Sequence, residues 1–220
     1  MTAGESELYV YALAEAGLPE TLRIGRHSLH TISVGSVDAI VERGRDRVPP
    51  TIEALQDQHD LVAKLAERAP AVLPARFGSV LPESAVRALI RDQRQAIAES
   101  IAKVRGRRQM TIRVFGAADP PAVSEDPPLT GTEFLNRRRA QAHYVPPELA
   151  AIRTAVGGLA SAERIDVGQA GLRLTVFHLV ASDMIDSYRQ KASALQSVVA
   201  PNRVSVSGPW PAFAFTPELF

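Results

Sequence analysis

The spacing of apolar residues changes several times along the chain, and each change marks an element. Residues 8–13, Leu-Tyr-Val-Tyr-Ala-Leu, are apolar and aromatic without a helical period and read as a strand. Residues 29–34 and 37–41 read as two more, joined at Gly35-Ser36, a two-residue hairpin signal. Pro49-Pro50 breaks the pattern. Thr51 then suits a helix N-cap, with Glu53 in the first turn and Ile52, Leu55, Val62 and Leu65 on one face. Pro70 ends that helix, and prolines 70 and 74 keep residues 71–78 extended. A single helix is predicted over 82–103, with Val86, Ile90, Ile97, Ile101 and Val104 as its apolar stripe and Gly106 as its stop. Residues 109–115 alternate, placing Met110, Ile112 and Val114 inward and Thr111 and Arg113 outward.

The stretch from Gly116 to Leu129 holds two Pro-Pro pairs and acidic residues, so it reads as a linker between domains. Beyond it, Thr130 and Glu133 form a capping-box pattern that opens a basic helix containing Arg137. Pro146-Pro147 starts another helix, which ends near Gly157-Gly158. Residues 162–167 and 172–180 read as a hairpin. Ser182 suits the cap of a helix that buries Ile185, Tyr188, Ala192, Leu195 and Val199. Residues 203–207 then form a short strand with Val204 and Val206 inward. The whole is an α+β chain of two domains, each a mixed sheet with helices on one face. The boundaries are 1–116, a linker at 117–129, 130–207, and a tail at 208–220.

Composition narrows the functional classes. The chain of 220 residues is 45% hydrophobic and 22% charged, as in an ordinary globular protein. It has no cysteine, which excludes disulfides and thiolate metal sites and fits a reducing cytosol. The polar, acidic start carries no secretory pattern. The most apolar stretch, 172–181, is interrupted by Arg173 and His178 and is too short for a membrane helix. The net charge of +1 projects no strong field towards nucleic acid or acidic lipid. Arginines cluster at 43, 45 and 47, at 105, 107 and 108, and at 137–139. They read either as solvated surface or as partner contacts through guanidinium forks.

Motifs for phosphate loops, dinucleotide binding, zinc hydrolysis and nucleophilic serine are all missing from the sequence. His27 and His30 have a spacing that metal sites use, but no third ligand sits in a supporting pattern, so exposed loop or strand positions are expected. His59 is expected to be a partly buried, hydrogen-bonded ring, and His178 a satisfied core histidine. No pair of carboxylates falls in a recognisable catalytic pattern. The reading is therefore a non-enzyme with no cofactor and no metal.

Several blocks resemble the GvpL/GvpF family of gas vesicle proteins. Leu8-Tyr9-Val10-Tyr11 is similar to that family's first strand. Val72-Leu73-Pro74-Ala75-Arg76-Phe77-Gly78-Ser79-Val80 resembles its LP-x-RFG-T-V signature, with Ser79 where threonine is usual. The block at 131–137, Gly-Thr-Glu-Phe-Leu-Asn-Arg, resembles its G-x-x-YL-x-R block, with Phe134 in place of tyrosine. Gly208-Pro209-Trp210-Pro211 matches its closing GPWP, followed by Phe213 and Phe215. The resemblance implies a two-domain α+β protein related to a ferredoxin-like fold. It also implies a cytoplasmic, vesicle-associated accessory role, with the small hydrophobic shell protein or other accessory proteins as partners. Within these blocks Arg76, Phe77, Arg137, Trp210, Phe213 and Phe215 are the partner-binding or structural candidates. Arg76 either pairs with an acidic group or meets a partner, and Phe77 is either core or contact. Trp210 either anchors the tail against the body or presents an aromatic hot spot. The alternative is a nucleic-acid-binding regulator that stacks bases on Tyr9 and Tyr11.

Overall fold

A computed structural model of the chain describes residues 7–45, 48–116, 146–168 and 171–217. The chain divides into two units, Met1–Gln109 with Pro209–Phe220, and Met110–Gly208. The expected linker at 117–129, the capping box at Thr130 and Glu133, and Phe134, Arg137 and His143 lie outside the described residues.

In the first unit, strands β1 (Glu7–Glu15), β2 (Thr21–Ile24), β3 (His27–Val34) and β4 (Val37–Arg43) lead into helix α1 (Ile52–Arg68). Strands β5 (Val72–Pro74) and β6 (Val80–Pro82) follow, then helices α2 (Glu83–Asp92) and α3 (Arg94–Val104). The sheet runs β2-β3-β4-β1-β5, with β6 also on β1. The expected hairpin is present: Val34 pairs with Val37 around Gly35, which has φ +63°. Strand β2 escaped the sequence reading. It is only four residues long, but its alternating Thr-Leu-Arg-Ile and the two-residue turn Gly25-Arg26 are its signal.

Strand β1 is buried on both faces. Tyr9, Tyr11, Ala12 and Ala14 join Leu61, Val62, Leu65 and Ala66 of α1 in one core cluster. By alternation, Leu8, Val10 and Leu13 point to the opposite side, where α2 packs against β3 and β6, and α3 against β5. Helices thus cover both faces of this sheet and not one, because a strand apolar in both directions needs cover on both.

Thr51 caps α1 as expected, its hydroxyl accepting from Ala54 N at 3.2 Å. Ile52 and Leu55, predicted to be buried with Val62 and Leu65, are instead 70% and 44% exposed. The helix predicted over 82–103 breaks at Gln93 into α2 and α3. All five residues of its apolar stripe are buried, but the exposed polar run Arg-Asp-Gln-Arg-Gln between Ile90 and Ile97 offers the core no apolar side chain.

The second unit carries a sheet in the order β10-β7-β9-β8. Its elements are β7 (Arg107–Phe115), α4 (Pro147–Val156), β8 (Ala160–Val167), β9 (Leu172–Ala181), α5 (Ile185–Ala192), α6 (Leu195–Val198) and β10 (Arg203–Trp210). The division between units falls inside β7 and β10. Met110, Ile112 and Val114 pack with Leu149, Ile152, Leu174, Val176, Tyr188 and Leu195 in one core, so these helices share one face as expected. Thr111, predicted outward, is buried, and Val206, predicted inward, is 36% exposed on the edge strand β10. A 3-10 turn, Ser182–Met184, precedes α5, so the helix starts three residues after its predicted cap.

Candidate functional site

Strands β5 and β6 flank successive halves of β1, and the Arg-Phe-Gly segment joins them. Opposite it, β1 carries a bulge: Val10 pairs with Val41 and Ala12 with Ile40, leaving Tyr11 extra. A bulge turns two consecutive side chains to one face, here Tyr11 and Ala12. It also frees the Tyr11 carbonyl, which accepts from Ala75 N at 2.8 Å, while Val10 N donates to Ser79 O at 2.8 Å. Between these two anchors the chain makes a tight turn. Ser79 N and Oγ both donate to the Arg76 carbonyl, at 3.2 and 2.7 Å, and Gly78 sits at φ +78°, as position i+2 of a type II turn requires. The Ser79 hydroxyl therefore has a defined task in the turn.

Two buried side chains hold the turn from inside. Tyr9 Oη accepts from Gly78 N at 3.0 Å and donates to Gln58 Oε1 at 2.6 Å, while Gln58 Nε2 donates to the Ala75 carbonyl at 3.3 Å. Burial pushes the Tyr9 hydroxyl above its ordinary range, with the Gly78 hydrogen bond acting in the opposite sense, so it remains a neutral phenol. The rigid turn leaves Arg76 exposed and Phe77 half-buried. Among the described residues Arg76 makes no ion pair.

The chain's closing segment reaches the same helix. Strand β10 runs on through Pro209 to Trp210, an edge position that tolerates a proline. The Trp210 ring meets His59 edge-on at 4.8 Å, and Phe213 stacks on the same imidazole at 5.4 Å with the planes 12° apart. Phe215 and Ala212 are buried, Lys103 Nζ lies 5.3 Å above the Phe215 ring, and Ala214 N donates to Gln109 Oε1 at 2.7 Å. The tail therefore docks on the first unit. Trp210 and Phe213 remain half-buried. The Arg-Phe-Gly turn and the aromatic tail thus meet α1 at the adjacent residues Gln58 and His59. One and two turns nearer its N-terminus, Leu55 and Ile52 share the face of His59.

Asp57, on another side of α1, belongs to a charged network that the sequence concealed. His27, expected to be exposed, is buried. Its Nδ1 lies 3.1 Å from Glu42 Oε2 and its Nε2 3.1 Å from Asp57 Oδ2, with Arg45 Nη1 2.9 Å from Nδ1. His30, three residues along β3, is half-buried and outside this network. Tyr11 Oη donates to Glu42 at 2.7 Å, and the Arg45 guanidinium lies over the rings of Tyr9 and Tyr11 at 5.1 and 5.7 Å. Burial raises the Glu42 carboxyl, but hydrogen bonds from Tyr11, His27 and Arg45 outweigh it and leave the group below the usual carboxylate range. The Tyr11 hydroxyl is pushed up, first by burial and then by its bond to Glu42. Both tyrosines are fully buried beneath α1, so neither is available to stack a base.

In the second unit His178 is the satisfied core histidine expected. Nδ1 meets Tyr188 Oη at 2.7 Å and Nε2 meets Glu163 Oε2 at 3.1 Å, while Arg153 grips Glu163 at 2.6 Å. Among the described residues no group of three or more histidine, aspartate or glutamate side chains is placed to hold a metal ion, and no helix is long and apolar enough to cross a membrane.

The family model for gas vesicle synthesis protein GvpL/GvpF matches residues 7–217. The fold is similar to the crystal structure of the gas vesicle protein GvpF from Microcystis aeruginosa, with a TM-score of 0.74 at 17% identity over 96% of this chain and 98% of that one. It is also similar to GvpF from Anabaena sp. PCC7120, with a TM-score of 0.73 at 14% identity over the same shares. No curated protein matches the chain.

Proposed function

Since the chain belongs to the GvpL/GvpF family of gas vesicle synthesis proteins, with a role in gas vesicle formation, we propose that it acts by binding vesicle proteins during assembly, the small apolar shell subunit first among them. The contact face is the exposed first turn of α1 with the Arg-Phe-Gly turn and the aromatic tail. One observation carries this reading: two motifs far apart in sequence meet α1 on neighbouring residues, beside Ile52 and Leu55, which lie open to solvent. Clustered exposed apolar side chains mark contact surfaces. Shell subunits with large apolar surfaces associate without direction before assembly, and a partner presenting a rigid aromatic and aliphatic face shields them. Arg76 adds a guanidinium fork at the rim.

The test pairs binding with stability. Ile52→Ser with Leu55→Ser removes exposed side chains and is expected to change stability by no more than about 0.5 kcal/mol each. In a pull-down from cells that express the shell subunit, the same variant is expected to lose most of the bound subunit, and Arg76→Ala part of it. Full capture by the folded double variant overturns the assignment of this face. Sequence-selective nucleic-acid binding at physiological salt, with no shell capture, overturns the function itself.

A further inference from the structure

At one end of the first sheet, the β2–β3 turn and the segment after β4 border an open surface cavity of about 380 Å³, lined by Arg26, His27, Glu42, Arg43, Gly44 and Arg45. Three guanidinium groups and a buried imidazole face one carboxylate there. That carboxylate, Glu42, is already engaged by Tyr11 and Arg45, and Asp57 behind it by Arg26, His27 and Arg45. Arg43 pairs with Glu83, but Glu83 also accepts two hydrogen bonds from Arg87. Among the described residues the ion-paired set therefore holds four guanidinium groups (Arg26, Arg43, Arg45 and Arg87) against three carboxylates (Glu42, Asp57 and Glu83). The guanidinium groups of this set exceed its carboxylates by one, and the excess is positive.

The excess sits where it is reachable. Among the described residues Arg26 and Arg43 each use a single nitrogen, Nη2, in their ion pairs, and their side chains are 74% and 49% exposed. Each keeps the rest of its planar fork of N–H donors, the geometry that grips two oxygens of one anion. Arg45 is fixed underneath by Glu42, Asp57 and the two tyrosine rings, so the floor of the cavity is preset.

We propose that this cavity binds an oxyanion, a phosphate or a carboxylate group, held by the free forks of Arg26 and Arg43 over Arg45. The site lies apart from the α1 face and does not depend on the function proposed for that face. Inorganic phosphate and acetate, titrated separately at ionic strength fixed with sodium chloride, test it by amide NMR shifts. Saturable shifts confined to Gly25–His27 and Glu42–Arg45 are expected with at least one of the two. Saturation by both assigns a carboxylate-type site open to a polypeptide side chain, and saturation by phosphate alone assigns a phosphate site. Arg26→Gln with Arg43→Gln is expected to weaken binding about tenfold or more, as loss of charge-assisted contacts does. Shifts that never saturate, or that persist undiminished in the folded double variant, overturn the proposal. Arg26→Gln alone alters the more exposed side chain and leaves Asp57 its other partners. It keeps the test decisive should the double variant fail to fold.

Discussion

At the scale of single residues, the first unit depends on polar atoms placed deep in an apolar layer. Tyr9 shows the logic. Its ring fills the core under α1, and its hydroxyl serves Gln58 and Gly78 together. Tyr9→Phe keeps the ring but leaves a buried amide group and a backbone N–H without their partner. It is expected to cost about 1–3 kcal/mol. The Gly78 amide should also exchange faster than the loss of global stability alone explains, measured against a core amide such as Leu65. Equal acceleration at both amides means that the hydroxyl only stabilises the fold and does not hold the turn. Burial of both tyrosines argues against the base-stacking reading, because a stacking platform must face solvent.

At the scale of elements, α1 departs most from its sequence reading. A helix face made of Ile52, Leu55, Val62 and Leu65 looks like one buried stripe, yet the first two residues lie in the open. The stripe is one angular sector whose burial changes along the helix axis: Leu61, Val62, Leu65 and Ala66 in the later turns join the core, while Ile52 and Leu55 in the first turn do not. The tail covers only the His59 end. Trp210 is therefore expected to contribute less than a fully buried ring. Trp210→Ala should lower stability by about 1–3 kcal/mol, below the ~3–5 kcal/mol typical of core aromatic truncation. Urea melts of the wild type and this variant decide it. A loss at the full core value means the ring is sealed in solution, and an unchanged midpoint means the tail does not dock.

At the scale of the whole molecule, both units carry buried groups whose protonation differs between the folded and unfolded chain. Burial pushes His178 below its ordinary value, with the Glu163 contact acting in the opposite sense. As pH falls below about 6.5, the unfolded chain takes up this proton first, so folding stability declines. The carboxyls of Glu42, Asp57, Glu83 and Glu163 are held low by their partners, so a second decline begins as pH drops through the ordinary carboxylate range and continues below it. Stability against pH should fall in two stages. Replacing His178 with glutamine is expected to flatten the first stage and leave the second. An unaltered first stage in that variant assigns it to another group.

The sequence by itself determined whatever depends on neighbours along the chain. The β3–β4 hairpin at Gly35, the Thr51 cap, the extended segment after Pro70, the alternation of Met110, Ile112 and Val114, and the β8–β9 hairpin follow from local sterics and side-chain period. The family's motifs were legible for the same reason, as contiguous words. Only the tertiary structure decided which of those words meet. Gln58 and His59 carry no signal of their own, yet one ties down the Arg-Phe-Gly turn and the other receives Trp210 and Phe213. His27 reads from the sequence as exposed and Arg45 as one of an arginine cluster, yet the sheet and α1 bring both into one network with Glu42 and Asp57. Such pairings are contacts across long loops. Their free energy depends on burial and on distances in space, and neither is encoded in the spacing of residues along a strand or a helix.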